Sequence, residues 1–158
     1  NPLAMLEALD GLDAELSTVG TGSLEPRLRK IAAEKNRSVQ FHGNVPHAEL
    51  PRLLRECDLF LLPSRYEGHP KALLEAMACG LPVIGTNVPG IRELLRHRET
   101  GYLCGTGADD IRGAIRELMG DARLRARMGR NAREHVVRHF TLEQAVQKEL
   151  ALLEELAP

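Results

Sequence analysis

The segment Phe60–Leu95, FLLPSRYEGHPKALLEAMACGLPVIGTNVPGIRELL, contains two short apolar runs with a helical pattern between them. The first run begins just before the quoted segment, spans Asp58–Pro63, and is typical of a strand covered on both faces in a parallel sheet. The helical pattern over Pro70–Cys79 ends at Gly80, and the second run, Pro82–Thr86, predicts the next buried strand. A strand, a helix and a strand in this order predict a βαβ unit.

The rest of the chain continues this alternation on both sides of the segment. Further strands are predicted at Ala14–Val19, Ser38–His42 and Tyr102–Cys104. Helices are predicted at Asn1–Leu9 with Asn1 as N-cap, at Leu24–Lys35, His47–Glu56 and Ile91–Leu95, and from Asp109 onward with breaks near Gly120 and at a Thr141–Gln144 capping box. This pattern predicts an α/β fold, a Rossmann-like doubly wound parallel sheet with helices on both faces, in one domain covering residues 1–158.

The composition argues against a nucleic-acid-binding protein and against a membrane-spanning one. Lysine and arginine number 21 against 22 acidic residues, for a net charge of −1, whereas nucleic-acid-binding proteins usually carry a basic excess. Aromatic residues make up only 3%, which leaves few rings for stacking bases. No apolar run approaches the roughly 18 residues that a membrane helix needs, and no signal peptide opens the chain. We therefore expect a globular protein that does not bind nucleic acid.

Cysteine and histidine patterns predict neither disulfides nor a metal site. Cys57, Cys79 and Cys104 are too far apart for a CxxC clip, and an odd number cannot form a complete set of disulfides. The six histidines show no HExxH spacing. A reducing cytoplasm, no metal and no cofactor are the resulting expectations.

The turn Gly20-Thr21-Gly22 lies between a predicted strand and a predicted helix. Such a turn can bring backbone N–H groups to a pyrophosphate at a helix N-terminus. The run GTGSLE lacks the third glycine of the dinucleotide fingerprint, and Gln40 and His42 occupy the region where its acidic residue is expected. These departures argue against NAD binding. A plain tight turn and a phosphate-facing loop both stay open for Gly20 and Gly22.

The loop and helix after the first buried strand carry two glutamates, Glu67 and Glu75. Ligands of open α/β sheets bind at the carboxyl ends of the strands, which is where this loop lies. With Pro70 at the first helical position, three backbone amides would be free to bind an anion, those of Lys71, Ala72 and Leu73. Taken singly, Glu75 could be a surface partner of Lys71 and Glu67 a solvated carboxylate. Their joint placement favours a ligand site instead.

This segment resembles the donor-binding half of the family-four, GT-B-fold retaining glycosyltransferases. The signature is a glutamate, seven residues and a second glutamate, followed by AMACGLPVIGT and PGI…E. The likeness continues through VGTGSLEPRLRKIA, VQFHGNVPHAEL, ETGYLC and RNAREHVVRHFTLEQ, in order along the chain. It implies the C-terminal half of a two-domain enzyme whose donor is a nucleotide-diphosphate sugar.

The resemblance implies a role for each matching position. Glu67 would lie against the donor-sugar hydroxyls and orient the sugar, with Gly68 and His69 beside it. Glu75 would hold the ribose hydroxyls. Backbone amides of Lys71 and Ala72, with Leu73 as a further candidate, would contact the sugar and the diphosphate. The remaining implied donor-binding positions are Asn44, Val45 and His47 for the base, and Gly20 and Gly22 beside the cleft.

Two departures from the family pattern qualify this interpretation. Pro70 stands where many relatives have a second glycine, which removes one amide donor. Relatives also have a preceding strand with an arginine and a lysine that clamp the diphosphate, and an N-terminal acceptor domain. We therefore expect a fragment that binds the donor without a metal and is inactive alone. In the full-length protein we expect retaining hexosyl transfer to a glycan or lipid-linked acceptor, in the cytoplasm, with peripheral membrane contact as an option.

Three alternative functions stay open from the sequence. A GT-B-fold phosphorylase or a nucleotide-sugar epimerase would share the sheet and the anion site. A basic-surface module that binds membranes or nucleic acid is suggested by six arginines between Asp121 and His139: Arg123, Arg125, Arg127, Arg130, Arg133 and Arg138. Leu124, Met128 and Val136 give the same helix an apolar face, which favours an ordinary helix with a solvated outer side.

Overall fold

The computed structural model describes residues 1–156, which form eight helices and five strands. The predicted domain 1–158 also includes residues 157 and 158, which lie outside the described part. The helices are α1 (Pro2–Ala8), α2 (Glu25–Glu34), α3 (Leu50–Arg55), α4 (Lys71–Ala78), α5 (Pro89–Arg92), α6 (Ala108–Gly120), α7 (Ala122–His139) and α8 (Leu142–Leu156). The strands are β1 (Leu16–Thr18), β2 (Val39–Phe41), β3 (Phe60–Leu62), β4 (Val83–Thr86) and β5 (Tyr102–Cys104).

Every strand pairing is parallel, as the alternation of strands and helices predicts. One sheet has the order β1-β2, with Leu16 opposite Val39. The other has the order β3-β4-β5, with Phe60 opposite Val83 and Ile84 opposite Tyr102. Helices cover both faces: α1, α2 and α6 contribute to one apolar core, and α4, α5 and α7 contribute to a second. The predicted α/β class is confirmed, with the strands divided between two sheets.

The strand β3 differs from the sequence prediction. Its continuous apolar run predicts full coverage on both faces, yet Phe60, Leu61 and Leu62 are only half-buried. The four residues of β4 are all buried. The difference follows from position in the sheet, because β4 has a neighbour on each side and β3 pairs with β4 alone among the described strands.

Several helix starts also differ from the prediction, and α3 begins at Leu50 instead of His47. Pro70 is the N-cap of α4 with an extended backbone, ψ 102°, so the helix begins one residue later than expected. Helix α5 begins at Pro89 instead of Ile91. Both prolines lie at a helix start. The proline ring restricts φ and leaves no backbone N–H to donate, which a helix tolerates at its start but not in its interior.

The two predicted helix caps have different outcomes. Asn1 is the N-cap residue of α1, but its side chain donates a 2.9 Å hydrogen bond to the Thr106 carbonyl instead of capping the helix. The capping box before α8 is confirmed. The Gln144 amide donates to Thr141 Oγ1 at 3.3 Å, and the Thr141 amide donates to Gln144 Oε1 at 3.1 Å. No helix within residues 1–156 combines the length and the apolar character needed to cross a bilayer.

Helix α7 approaches the end of α4 so closely that only glycine fits at position 129. A Cβ on Gly129 would overlap the carbonyl oxygen of Gly80 and lie 3.2 Å from its carbonyl carbon. Gly80 has φ +79°, a left-handed conformation that glycine adopts without strain, and it ends α4 there. Two glycines thus let a helix and a turn pack backbone against backbone.

We expect Gly129→Ala to lower the free energy of unfolding by about 1–3 kcal/mol, because the added methyl group meets backbone that cannot rotate away. Gly113→Ala is the matched control, since Gly113 also lies inside a helix but has no atom near its would-be Cβ. That control is expected to raise stability by about 0.5–1 kcal/mol through helix propensity. Urea unfolding of both variants measures the contrast. Equal effects would contradict the close approach.

Candidate functional site

Hydrogen bonds link the ends of β1 and β2 to each other, and the ends of β3, β4 and β5 to one another. The Gly20 amide donates to the Gly43 carbonyl, which joins the ends of β1 and β2. Thr86 Oγ1 at the end of β4 donates to the Ser64 carbonyl after β3. The Asn87 amide donates to the Cys104 carbonyl at 2.8 Å, which adds the end of β5. These contacts gather the chemistry-bearing loops at the carboxyl edge, where ligands of parallel α/β sheets bind.

Glu75 and His47 are in contact although they are 28 residues apart in the chain. Glu75 lies in the second turn of α4, and its Oε1 is 3.2 Å from His47 Nε2 in the loop after β2. The Glu75 side chain is about one-third exposed, and that of His47 is far more exposed. The alternative partner of Glu75, Lys71, forms no ion pair with it among the described residues. The carboxylate therefore joins α4 to the loop after β2, and its second oxygen has no hydrogen bond in the described chain.

Glu67 is held by its own loop. Ser64 Oγ donates a 2.6 Å hydrogen bond to Glu67 Oε1, and the Ser64 carbonyl accepts from Thr86, which is fully buried. The backbone at Glu67 and Gly68 packs directly on Gly90 of α5, where a Cβ would overlap both carbonyl oxygens. This triple support fixes the position of the half-buried Glu67 side chain, unlike that of a freely solvated carboxylate.

The start of α4 offers two free amides where the sequence predicts three. Because Pro70 is the N-cap, the Leu73 amide donates to the Pro70 carbonyl at 3.2 Å and is not available to an anion. The Leu73 side chain is fully buried in the core. The Leu73 amide is thus not free in this structure, as the sequence predicts it to be, and its contact with a donor stays a prediction. The amides of Lys71 and Ala72 stand in the first turn of an eight-residue helix, where the helix dipole favours negative charge.

The segment Gly20–Gly22 after β1 forms a tight turn in which the Gly20 amide is already hydrogen-bonded. Gly20 has φ +104°, and its N–H already bonds to Gly43, so it cannot also donate to a phosphate. The Gly22 carbonyl accepts from the Glu25 amide as α2 begins. Both glycines border a cavity of about 260 Å³ between α1 and the end of β1. The structure thus favours the tight-turn alternative for Gly20 and leaves the Gly22 amide free among the described contacts.

The remaining predicted positions lie in the loops around this edge. Asn44 is exposed and Val45 half-buried, both directly after β2. Gly68 and His69 are exposed in the loop between β3 and α4. The His69 ring centroid is 6.0 Å from that of Phe140, so this histidine packs against the residue that connects α7 to α8. Of these four, only Asn44 and His69 have polar side chains, and neither forms a side-chain hydrogen bond within the described chain.

Helix α7 shows why its arginines do not form one free basic patch. Its apolar side is buried at Leu124, Met128 and Val136. Arg125 donates to the carbonyls of Leu118 and Met119, and Arg133 donates to Ala78. Arg125 alone is half-buried, and the other five arginines of the helix are exposed: Arg123, Arg127, Arg130, Arg133 and Arg138. The arrangement agrees with an ordinary packed helix whose outer face is solvated.

Among residues 1–156, the cysteines form no disulfide and the metal-binding side chains form no metal site. All three cysteines are unpaired, and no group of three or more metal-binding side chains is clustered in the described chain. Burial raises the pKa of the Cys104 thiol to about 11, with a smaller contribution from the nearby Asp110 carboxylate. The thiol is therefore protonated near neutral pH and acts as a packing group.

Sequence reasoning missed three residues that support the site: Ser64, Thr86 and Gly90. The spacing of Ser64 three residues before Glu67 is compatible with a local hydrogen bond, but such a pair is common in loops. Thr86 ends an apolar strand, where a hydroxyl needs a partner because burial otherwise penalises it. Gly90 follows a proline and looks like an ordinary helix start. Only the contact between Gly90 and the backbone of Glu67 and Gly68 shows that no side chain fits there.

Known proteins with similar sequences identify the family of this chain. A family model described as glycosyl transferases group 1 matches residues 2–135. N-acetyl-alpha-D-glucosaminyl L-malate synthase of Bacillus anthracis is 44% identical over 148 residues, which cover 90% of this chain and 38% of that enzyme. The chain therefore spans well under half the length of this curated relative.

Solved structures show the same architecture. Sucrose-phosphate synthase from Thermosynechococcus elongatus matches with a TM-score of 0.89 and 27% identity, over 97% of this chain and 41% of that one. S. aureus TarM, solved with UDP, matches with a TM-score of 0.83 and 25% identity, over 96% and 31% respectively. The chain belongs to the group 1 glycosyltransferases and has the fold of a GT-B C-terminal domain.

Proposed function

We propose that this chain binds the nucleotide-sugar donor of a glycosyltransferase that transfers a hexose with retention of configuration. The observation that carries the proposal is the contact between Glu75 and His47, which joins the loops after β2 and β3 into one surface. A carboxylate with an open oxygen beside two free helix-terminal amides suits a ligand that has both hydroxyl and phosphate groups.

In the proposed complex, Glu75 accepts hydrogen bonds from the ribose hydroxyls while the α4 amides of Lys71 and Ala72 donate to the diphosphate. The Lys71 side chain adds a positive charge at the same end of the helix. Charge develops on the diphosphate oxygen as the sugar–phosphate bond breaks, so fixed donors aimed there stabilise the leaving group. These interactions involve no metal ion.

Glu67 is the proposed contact to the donor sugar. The Ser64 hydroxyl occupies one of its oxygens, which leaves the other to accept from sugar hydroxyls. Its role is to orient the sugar, not to attack it. Gly68 and His69 flank this carboxylate, and Asn44, Val45 and Gly22 border the proposed base and cleft regions.

The acceptor is expected to bind another domain of the protein. The chain covers 38% of the Bacillus anthracis synthase and 41% of the sucrose-phosphate synthase chain. We therefore propose that a second, N-terminal domain binds a glycan or lipid-linked acceptor in the cytoplasm. The isolated chain is expected to bind the donor without transferring its sugar. Release of UDP from UDP-glucose by the isolated chain would contradict that expectation.

A titration of the 158-residue chain with UDP, GDP and ADP tests donor binding. UDP is the first probe because TarM was solved with it. We expect saturable binding of at least one of the three, with amide chemical-shift changes at Lys71 and Ala72 in NMR spectra. The amide of Leu73, which is already bonded to Pro70, is the internal reference and should move less. Absence of these shifts at millimolar concentrations of all three nucleotides would overturn the proposal.

A further inference from the structure

A cavity of about 240 Å³ lies between α7 and the loop that connects α5 to β5. It shares no lining residue with the proposed donor positions. Six of its eight lining residues have side chains that can donate hydrogen bonds: Arg96 and Thr100 from the loop, and Asn131, His135, Arg138 and His139 from α7. A cavity with this lining suits a ligand that accepts hydrogen bonds.

Thr100 supplies a buried hydroxyl proton that has no acceptor. The residue is only 6% exposed, and its Oγ1 accepts a 2.9 Å hydrogen bond from the Arg96 amide. A hydroxyl can also donate, and no group of the described chain accepts from this one. Asn131 has a spare N–H as well, because its side chain uses one N–H in a 3.1 Å bond to the Glu99 carbonyl. Buried donors normally have partners, so the cavity lacks an acceptor.

The charges that act on His135 are all positive. The half-buried His135 ring lies 5.0 Å from the ring of His139, measured between centroids, and 5.6 Å from that of Phe140. Burial lowers the pKa of His135, and the charges of His139, Arg96 and Arg138 lower it further. Gathering basic groups around one histidine costs free energy, which a bound anion would offset.

The two arginines of the cavity are not neutralised within the described chain. The side chains of Arg96 and Arg138 are exposed and form no ion pair there. Glu99 and Glu134 also line the cavity, but neither carboxylate is among the charges that affect His135. A guanidinium presents a planar set of donors that matches the oxygens of a phosphate group. Both arginines are therefore available to an anion.

The end of α7 does not strongly oppose an anion, although a helix C-terminus carries partial negative charge. That charge belongs to carbonyls without partners in the last turn. The Val136 carbonyl accepts from the Phe140 amide at 2.8 Å, and the Arg138 carbonyl accepts from Gln144 Nε2 at 2.6 Å. His135 lies before the last turn, where the influence of the dipole is weaker. The basic side chains therefore set the charge around His135.

We propose that this cavity binds a tetrahedral oxyanion with two negative charges, the phosphate group of a small soluble molecule. Arg96 and Thr100 would donate to its oxygens from the loop, and His135, Arg138 and His139 would donate from α7. A recess of this volume admits such a group with a few attached carbon atoms, whereas a bilayer surface would not reach the buried Thr100. This inference does not depend on the proposed donor binding.

The test titrates the full 158-residue chain with sodium sulfate at constant ionic strength and follows the histidine ring signals by NMR. Sulfate is the first probe because it keeps both charges across the pH range, whereas inorganic phosphate titrates near neutral pH. We expect saturable shifts at His135 and His139, with binding about tenfold tighter near pH 5.5 than near pH 8, because the anion favours protonated histidine. Inorganic phosphate near neutral pH should move the same signals.

Variants of the cavity separate this site from general attraction of anions. Arg96→Gln and Arg138→Gln should each weaken sulfate binding about tenfold, because each removes a charged donor. His135→Gln should lose most of the pH dependence. Arg127→Gln is the matched control, since Arg127 is an exposed arginine of the same helix that does not line the cavity. It should bind sulfate like the unaltered protein.

The proposal is overturned if sulfate at about 0.1 M, where only very weak binding would escape detection, leaves the His135 and His139 signals unmoved. Equal weakening by Arg127→Gln and the cavity variants would also count against it. An anion at the start of α4 would shift the Lys71 and Ala72 amides instead, and such shifts alone contradict the proposed cavity. Phosphatidylserine vesicles that move the His135 signal when inorganic phosphate does not would contradict a soluble ligand.

Discussion

Gly90→Ala is expected to displace the loop that holds Glu67, although alanine is normally favoured over glycine in a helix. The new Cβ would overlap the carbonyl oxygens of Glu67 and Gly68 and lie 2.7 Å from the Glu67 carbonyl carbon. These are backbone atoms, so no rotamer change relieves the overlap. Either the loop moves away from α5 or the helix does.

We expect Gly90→Ala to lower the free energy of unfolding by about 1–3 kcal/mol. The Glu67 position is expected to change with the loop. A nucleotide-sugar should therefore lose at least tenfold in affinity, whereas the matching nucleotide loses less because it does not reach Glu67. Calorimetric titrations with UDP-glucose and UDP compare the two.

Gly113→Ala again provides the control, because the exposed Gly113 has open space around its would-be Cβ and is far along the chain from the site. It should bind both ligands like the unaltered protein. If Gly90→Ala keeps full stability and full affinity for the nucleotide-sugar, the loop does not depend on this glycine.

Glu75→Ala is expected to weaken UDP binding by about 100-fold. A hydrogen bond to a charged group contributes about 1.5–3 kcal/mol, and the proposal gives Glu75 two ribose hydroxyls. Stability should change little, since Glu75 is partly exposed and contacts only His47 through a charged or hydrogen-bonding group. Calorimetric titration measures the loss of affinity, and urea unfolding measures the stability.

A ligand lacking both ribose hydroxyls isolates the role of Glu75. The 2′,3′-dideoxy form of UDP should bind the Glu75→Ala variant and the unaltered protein with equal affinity, because the lost contacts are the same. Glu34→Ala is the matched control, since Glu34 is also a helical carboxylate in a single ion pair, with Lys30. If Glu75→Ala binds UDP normally, the ribose role is wrong.

Much of the fold could be predicted because local patterns and the tertiary structure agree. The apolar run at β4 is buried on both faces, and the capping box at Thr141 and Gln144 forms as its residues indicate. The helix boundaries differ where proline is involved. Pro70 can occupy either the cap or the first turn, and only the backbone geometry distinguishes them.

The candidate site was less predictable because its support comes from distant parts of the chain. The position of Glu75 after a buried strand indicates a ligand site, but nothing local predicts its contact with His47. The shift of one residue at Pro70 changes which amides are free, and the Gly20 amide is taken by Gly43 from another loop. Such pairings depend on how the loops meet, which the periodicity of the chain does not encode.

By itself, the sequence determined that this is a parallel α/β domain with a pair of glutamates beside a helix start. Hydrophobic period and glycine or proline boundaries are local properties, so they can be seen along the chain. Only the tertiary structure decided that Gly90 supports Glu67 and that the described strands divide between two sheets. The physical reason is that backbone hydrogen bonds and close packing join residues far apart in the chain, and those pairings exist only once it is folded.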